Sequence, residues 1–174
     1  MPAVHVCPLS RLAETVERAN ASHLVTLINV GTPVARPASI AAENHLFLGM
    51  NDIVEPMDGM VFPGAEHVER LVGFVTAWQP TRPIVVHCYA GISRSTAAAY
   101  ITICALNPER DEAQIARHMR DASPYATPNA RLVQLADDLL GRRGRMADAV
   151  AAMGRGAFAA ENVPFSLGLE PSPR

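Results

Sequence analysis

The chain has 174 residues, of which 49% are hydrophobic, and its formal net charge is −2. This length is sufficient for one folded domain with a proper core, and the apolar content excludes a disordered chain. The balanced charge provides no basic field for nucleic acid, so we expect no nucleic-acid partner.

The sequence also predicts where the protein is found. Its three cysteines are too few for a disulfide framework, which favours a reducing compartment. The N-terminus lacks a basic stretch leading into an apolar run, so we expect no signal peptide. The longest uncharged apolar run, 95–108, is shorter than the roughly 20 residues of a membrane span. We therefore expect a cytoplasmic protein that does not associate with membranes.

Short apolar runs alternate with amphipathic segments along the chain. The predicted strands are 4–7, 24–30, 45–48 and 84–86. The first predicted helix begins with Ser10 as its N-cap, and two further helices cover 64–79 and 94–106. Two more helices begin at Asp111 and at Thr127-Pro128, and a last, short helix ends at Met153. This alternation indicates an α/β fold, with a central, mostly parallel sheet of four to five strands flanked by helices.

We assign 1–154 to a single domain and 155–174 to a C-terminal extension. The extension contains three prolines, and we expect it to be ordered only if Phe158 or Phe165 docks on the domain. Within the domain, a long loop covers 49–64, and a loop of this length is often functional.

The most informative stretch is 83–106. A β-branched run at 84–86 predicts a buried strand, a tight loop follows at 88–93, and the segment 94–106, which is uncharged after Arg94, predicts a buried helix. A strand, a tight loop and a helix N-terminus in this order direct backbone N–H groups and the positive end of the helix dipole toward an anion.

Side chains in this stretch suit phosphate chemistry. Cys88 is the candidate nucleophile, because a thiol at a helix N-terminus near a cation ionises readily. The guanidinium of Arg94 can bind two phosphate oxygens, and the hydroxyl of Ser95 can stabilise the thiolate. The predicted phosphate-binding backbone comprises Tyr89, Ala90, Gly91, Ile92, Ser93 and Arg94.

The segment His87-Cys88-Tyr89-Ala90-Gly91-Ile92-Ser93-Arg94-Ser95 resembles the His-Cys-x-x-Gly-x-x-Arg-Ser/Thr signature of the cysteine-based protein tyrosine phosphatases. The resemblance is to their small dual-specificity-like members of bacterial type. It implies a phosphoric monoester hydrolase that needs no metal or other cofactor, forms a phospho-cysteine intermediate and acts on phosphorylated protein or peptide. It also implies that His87 sets the hydrogen bonds of the loop and helps acidify the thiol.

The same resemblance implies a general acid on a loop that follows a strand, a few dozen residues before the nucleophile. The candidates on the long loop are Asp52, Glu55 and Asp58. Asp52 has this setting and is the first choice, with Asp58 as the second. The segment Pro128-Asn129 resembles the one that opens the last core helix of dual-specificity phosphatases, where the asparagine braces the active site. Asn129 could equally serve only as a helix cap. Because the chain lacks the Trp-Pro-Asp acid loop of the large tyrosine-specific enzymes, dual specificity stays open.

Three other functions compete with a protein phosphatase. A phosphatase of phosphoinositides or RNA ends is disfavoured because the loop interior has no Lys or Arg. An arsenate reductase would need further thiols close by, and we expect Cys7 and Cys104 to be core residues. A phosphotyrosine-binding pseudophosphatase is disfavoured because the cysteine, the arginine and the acid all have candidates. The remaining histidines lack ligand spacing, so we predict no metal site.

Overall fold

The computed structural model describes residues 2–170, and within them one mixed sheet carries the fold. Its strands are β1 (Ala3–Pro8), β2 (His23–Ile28), β3 (His45–Gly49), β4 (Ile84–Cys88) and β5 (Phe165–Gly168). Their order across the sheet is β3-β2-β4-β1-β5, with parallel pairing throughout except at β5, which is antiparallel to β1. The predicted α/β fold with a mostly parallel sheet of four to five strands is confirmed, as are the four predicted strands.

Helices cover both faces of this sheet. They are α1 (Leu12–Ala19), α2 (Ala65–Ala77), α3 (Arg94–Leu106), α4 (Glu112–Ala122), α5 (Ala130–Leu140) and α6 (Arg145–Met153). Helix α1 packs on one face with Val85 of β4, whereas Ile84 and Val86 contact the other helices on the opposite face. Strand β4 is therefore buried on both sides, which explains its continuous run of β-branched residues.

Helix α3 lies at the centre of the larger layer. Its first eleven residues are buried, so it carries no charge beyond its first turn. The phenol of Tyr100 is fully buried and donates a hydrogen bond to the carbonyl of Glu112 at 3.1 Å, which anchors α4 against α3. This helix fixes the position of the loop at its N-terminus.

Two predicted helix starts are wrong. Ser10 lies inside a 3₁₀ turn (Leu9–Arg11), and its hydroxyl bonds the Glu161 carboxylate at 2.9 Å, so it does not cap α1. Helix α5 begins after Asn129, not at Thr127-Pro128, because the side chain of Asn129 accepts the hydrogen bond from the Leu132 amide. The predicted cap at Asp111 is confirmed, since its carboxylate accepts from the Gln114 amide at 2.8 Å.

The segment after residue 154 joins the sheet through β5, a strand that the sequence did not predict. Phe165 packs against the main core, whereas Phe158 is 96% exposed. Positions 171–174 of the predicted extension lie outside the described residues. Among residues 2–170, no helix combines the length and the hydrophobicity needed to cross a bilayer.

Candidate active site

The candidate site lies at the carboxyl edge of the parallel strands, where β4 passes through the loop 88–93 into α3. Parallel strands direct their C-terminal loops to the same edge, which is the usual location of ligand sites in such sheets. Asn29 follows β2 and Asp52 follows β3, so both reach the loop from neighbouring strands.

Every carbonyl of the loop from Tyr89 to Ser93 accepts a hydrogen bond from a backbone or side-chain donor in another segment. The bonds are Leu9 N to Tyr89 O (3.1 Å), Asn162 N to Ala90 O (2.8 Å), Asn162 Nδ2 to Gly91 O (2.9 Å), Thr127 N to Ile92 O (2.9 Å) and Asn129 N to Ser93 O (3.1 Å). In a trans peptide the N–H points away from the C=O of the same peptide unit. The N–H groups of residues 90–94 are therefore turned toward the inside of the loop, where they form an anion cradle.

Gly91 is the one loop position where glycine is required. Its φ is +71°, and a Cβ built on it would lie 2.8 Å from both the carbonyl carbon of Cys7 and the nitrogen of Pro8. These atoms belong to β1 and cannot move aside as a side chain would. The close approach lets the loop curl tightly over the end of β1, so that the Gly91 amide donates to the Cys88 sulfur at 3.2 Å.

Cys88 ends β4 at the base of the cradle and is 2% exposed. Its Sγ lies 3.1 Å from Oγ of Ser95, so that the serine hydroxyl can donate to the sulfur when the sulfur is ionised. Burial raises the pKa values of the Cys7 and Cys104 thiols to about 12. These two cysteines are fully buried core residues, as predicted.

Arg94 is the first residue of α3 and is 7% exposed. Its Nη1 donates to Oδ1 of Asn29 at 2.7 Å and to the carbonyl of Met50 at 2.8 Å, which fixes the guanidinium plane. Its Nε is buried and has no hydrogen-bond partner among residues 2–170. A buried cationic donor of this kind is costly unless it meets an acceptor, and an anionic oxygen would serve.

A buried chain of hydrogen bonds holds His87. Its Nδ1 lies 3.2 Å from the carbonyl of Cys88, which can only accept, so Nδ1 carries the proton and Nε2 accepts from the Thr26 hydroxyl at 2.8 Å. The same hydroxyl lies 2.8 Å from Nε2 of His45. Burial lowers the pKa of His87 to about 4. Because the imidazole is neutral at pH 7, it orients the Cys88 peptide and cannot acidify the thiol through its own charge.

The structure brings Asp52 to the cradle. Its Oδ1 accepts from the Ser93 hydroxyl at 2.7 Å and from Nδ2 of Asn129 at 2.9 Å. Asn129 is 4% exposed, and it both caps α5 and holds Asp52, so the two interpretations left open by the sequence coexist. Asp58 is exposed, and within residues 2–170 its carboxylate has no side-chain hydrogen bond or ion pair.

Sequence reasoning missed three residues of the site. Asn29 could have been found, because it follows β2 at the edge where the other candidates cluster. Thr26 lies inside a strand, and nothing in its sequence neighbourhood marks it. Asn162 lies 71 residues from the carbonyl of Gly91 that it binds, and no local pattern connects the two. Tyr89, the second loop residue, is 66% exposed at the mouth of the cradle.

Comparisons with known proteins agree with this geometry. A model of the family described as protein-tyrosine phosphatase matches residues 58–134. No curated protein sequence matches the chain well enough to count as a relative.

Solved structures share the fold at low sequence identity. The PTP-2 phosphatase of Cydia pomonella has a TM-score of 0.60 and 20% identity over 78% of this chain and 84% of its own. DUSP15 has a TM-score of 0.61 and 16% identity over 88% of this chain and 91% of its own. PTPMT1, in its complex with PI(5)P, has a TM-score of 0.60 and 13% identity over 87% of this chain and 94% of its own.

These findings and the geometry lead to the same conclusion. The family model spans the strand, the loop and the helix that carry Cys88 and Arg94. The loop from His87 to Ser95 carries the residues of the signature described above. We conclude that residues 58–134 match the protein-tyrosine phosphatase family and that the chain has the fold of the solved tyrosine and dual-specificity phosphatases.

Proposed function

We propose that this protein is a metal-independent protein phosphatase that hydrolyses phosphotyrosine, and also phosphoserine or phosphothreonine if its pocket is shallow. The observation that carries the proposal is the outward orientation of all five loop carbonyls. This orientation supplies preorganised N–H donors around the Cys88 sulfur, where the charge of a transferring phosphoryl group develops.

The chemistry has two steps. The Cys88 thiolate attacks phosphorus and the ester oxygen leaves, while the loop amides and Arg94 bind the three remaining oxygens. A water molecule then attacks the phospho-cysteine, and the sulfur leaves as a thiolate that accepts the hydrogen bond of Ser95.

Asp52 is the proposed general acid of the first step and general base of the second. Because Oδ1 already accepts from Ser93 and Asn129, the proton that is transferred sits on Oδ2. The two hydrogen bonds hold the carboxyl group against the rim of the cradle. Positioned proton transfer of this kind contributes about 10²–10⁴-fold to rate.

The surface beside the cradle supports a polypeptide substrate. A cavity of about 460 Å³ is lined by Asp52 and Ser93 and also by the exposed residues Arg155 and Phe158. This volume is in the range of a ligand site, so it can hold residues that flank a phosphorylated side chain. The absence of Lys and Arg between Cys88 and Arg94 argues against a headgroup with several phosphates.

Phosphate release from matched peptides tests the proposal. Phosphotyrosine and phosphoserine/phosphothreonine peptides are incubated with the protein in the presence of EDTA. We expect chelator-resistant release that Cys88→Ser abolishes, and the ratio between the two peptides reports pocket depth. Asp52→Asn should slow kcat about 10²-fold or more, whereas the matched variant Asp58→Asn should leave kcat unchanged.

Three outcomes would overturn parts of this proposal. Release from PI(5)P or an RNA 3′-phosphate, but from no peptide, would show a phosphatase of non-protein substrates. Binding of phosphotyrosine peptide without any release would show a pseudophosphatase. If Asp58→Asn were the slower variant, Asp58 and not Asp52 would be the acid.

A further inference from the structure

Asn162 lies beyond the segment matched by the family model, yet it touches the anion cradle directly. Its backbone N–H donates to the carbonyl of Ala90 at 2.8 Å and its Nδ2 donates to the carbonyl of Gly91 at 2.9 Å. Two of the five outward carbonyls of the loop are therefore held by this one residue.

Asn162 is itself fixed by its surroundings. It is 4% exposed, and its Oδ1 accepts from the hydroxyl of Ser123 at 3.0 Å. This bond determines which end of the amide faces Gly91, because the oxygen must face the hydroxyl and the NH₂ the carbonyl. On either side, Glu161 bonds Ser10 and strand β5 joins β1.

We infer that Asn162 is a positioning residue of the phosphate-binding loop, and that the segment containing it is part of the active site. By holding the carbonyls of Ala90 and Gly91 outward, it directs the N–H groups of Gly91 and Ile92 inward, toward the phosphate and the Cys88 sulfur. Without it, these two peptide units could rotate and present carbonyl oxygens, which repel an anion.

The inference rests on the proposed phosphate-binding role of the loop, so the test uses oxyanion binding as well as turnover. Orthovanadate and inorganic phosphate are titrated against the folded protein by calorimetry, and the Tm of each variant is measured. We expect Asn162→Ala to weaken vanadate binding about tenfold, the effect of one lost hydrogen bond near a charge. Asn162→Asp should weaken it at least as much, since a carboxylate would face the Gly91 carbonyl.

Two further variants separate positioning from general stability. Ser123→Ala keeps both hydrogen bonds from Asn162 to the loop and removes only the bond that orients the Asn162 side-chain amide. We therefore expect a smaller loss of vanadate affinity, about twofold to fivefold. Asn107→Ala is the matched control. Its Nδ2 also donates to a backbone carbonyl, that of Ile103 at 2.9 Å, but at the far end of α3. It should lower Tm without changing vanadate affinity.

The outcomes distinguish this inference from the proposed function. If the wild type binds neither oxyanion, the loop is not a phosphate site and the proposed function fails. If the wild type binds vanadate and folded Asn162→Ala binds it equally well, the function stands and the positioning role is wrong. If Asn162→Ala does not fold, the inference depends on Ser123→Ala, and unchanged vanadate affinity in that variant would overturn it.

Discussion

The close approach of Gly91 to β1 makes Gly91→Ala the sharpest test of how the loop is built. Alanine at φ +71° costs about 1–2 kcal/mol in backbone conformation. Its Cβ would also lie 2.8 Å from two backbone atoms of β1, and relieving such a contact costs about 1–3 kcal/mol. Together these effects should destabilise the protein by about 2–5 kcal/mol, which lowers Tm by about 4–20 °C for a domain of this size.

Gly141→Ala is the matched control for this variant. Gly141 ends α5 at φ +65°, and a Cβ built on it would meet open space, with no heavy atom beyond its own chain neighbours within 4 Å. Alanine at this position should lower the free energy of unfolding only through its unfavourable backbone conformation, by about 1–2 kcal/mol, which lowers Tm by about 2–8 °C. Because it lies at the opposite end of α5 from Asn129, which bonds the loop, kcat/KM should be unchanged.

The assay is thermal unfolding of both variants, followed by turnover of an aryl phosphate at least about 15 °C below the lower Tm, where both variants are folded. We expect Gly91→Ala to lose more stability than Gly141→Ala and to lose at least about tenfold in kcat/KM, because the loop must shift off β1. Equal Tm values for the two variants, with full activity in Gly91→Ala, would refute the steric reasoning.

Three further predictions concern the hydrogen bonds of the site. Burial lowers the pKa of His87 from 6.5 to about 4, so the unfolded chain takes up the proton first as the pH falls. Neutral His87 should therefore contribute about 3 kcal/mol to the free energy of unfolding above pH 6.5, and this contribution should be lost as the pH falls toward 4. Urea titrations between pH 7.5 and 4.5 should show that the free energy of unfolding depends less on pH in His87→Gln than in the wild type. An equal pH dependence in the two proteins would contradict this. Ser95→Ala should slow release of phosphate from Cys88 about tenfold to a hundredfold and produce a burst in stopped-flow assays; single-phase kinetics with unchanged kcat would argue against the role. Asn29→Ala should raise KM about tenfold by freeing the Arg94 side chain, and an unchanged KM would show that Met50 alone suffices.

The parts of the fold that were predicted correctly have strong local signals. Strand β4, the loop and helix α3 are adjacent in the chain, and burial on all sides gives each a distinctive composition. The glycine at 91 and the arginine at 94 could be found because their types and spacing suit an anion-binding loop. Asp52 was chosen as the candidate acid from the resemblance to dual-specificity phosphatases, and its catalytic role stays a prediction.

The missed features depend on partners that are distant in the chain. Strand β5 has four residues at a sheet edge, and it is a strand only because β1 lies beside it. Thr127 fits the pattern of a helix cap, but its amide binds the carbonyl of Ile92 and the helix begins later, at Ala130. Local sequence patterns compete with such tertiary hydrogen bonds, and here the tertiary hydrogen bonds determine which residues form the strand and where the helix begins.

The hold of Asn162 on the loop also has a consequence for protein synthesis. The two bonded groups are 71 positions apart, so the loop emerges from the ribosome well before the residue that fixes it. At about 5–20 residues per second, that interval lasts roughly 4–14 s. During this time the nascent chain can form β1, β4 and α3 but still lacks the donors for the carbonyls of Ala90 and Gly91. The nascent protein should therefore acquire its proposed ability to bind phosphate as a late and separate event, after most of its core has already formed.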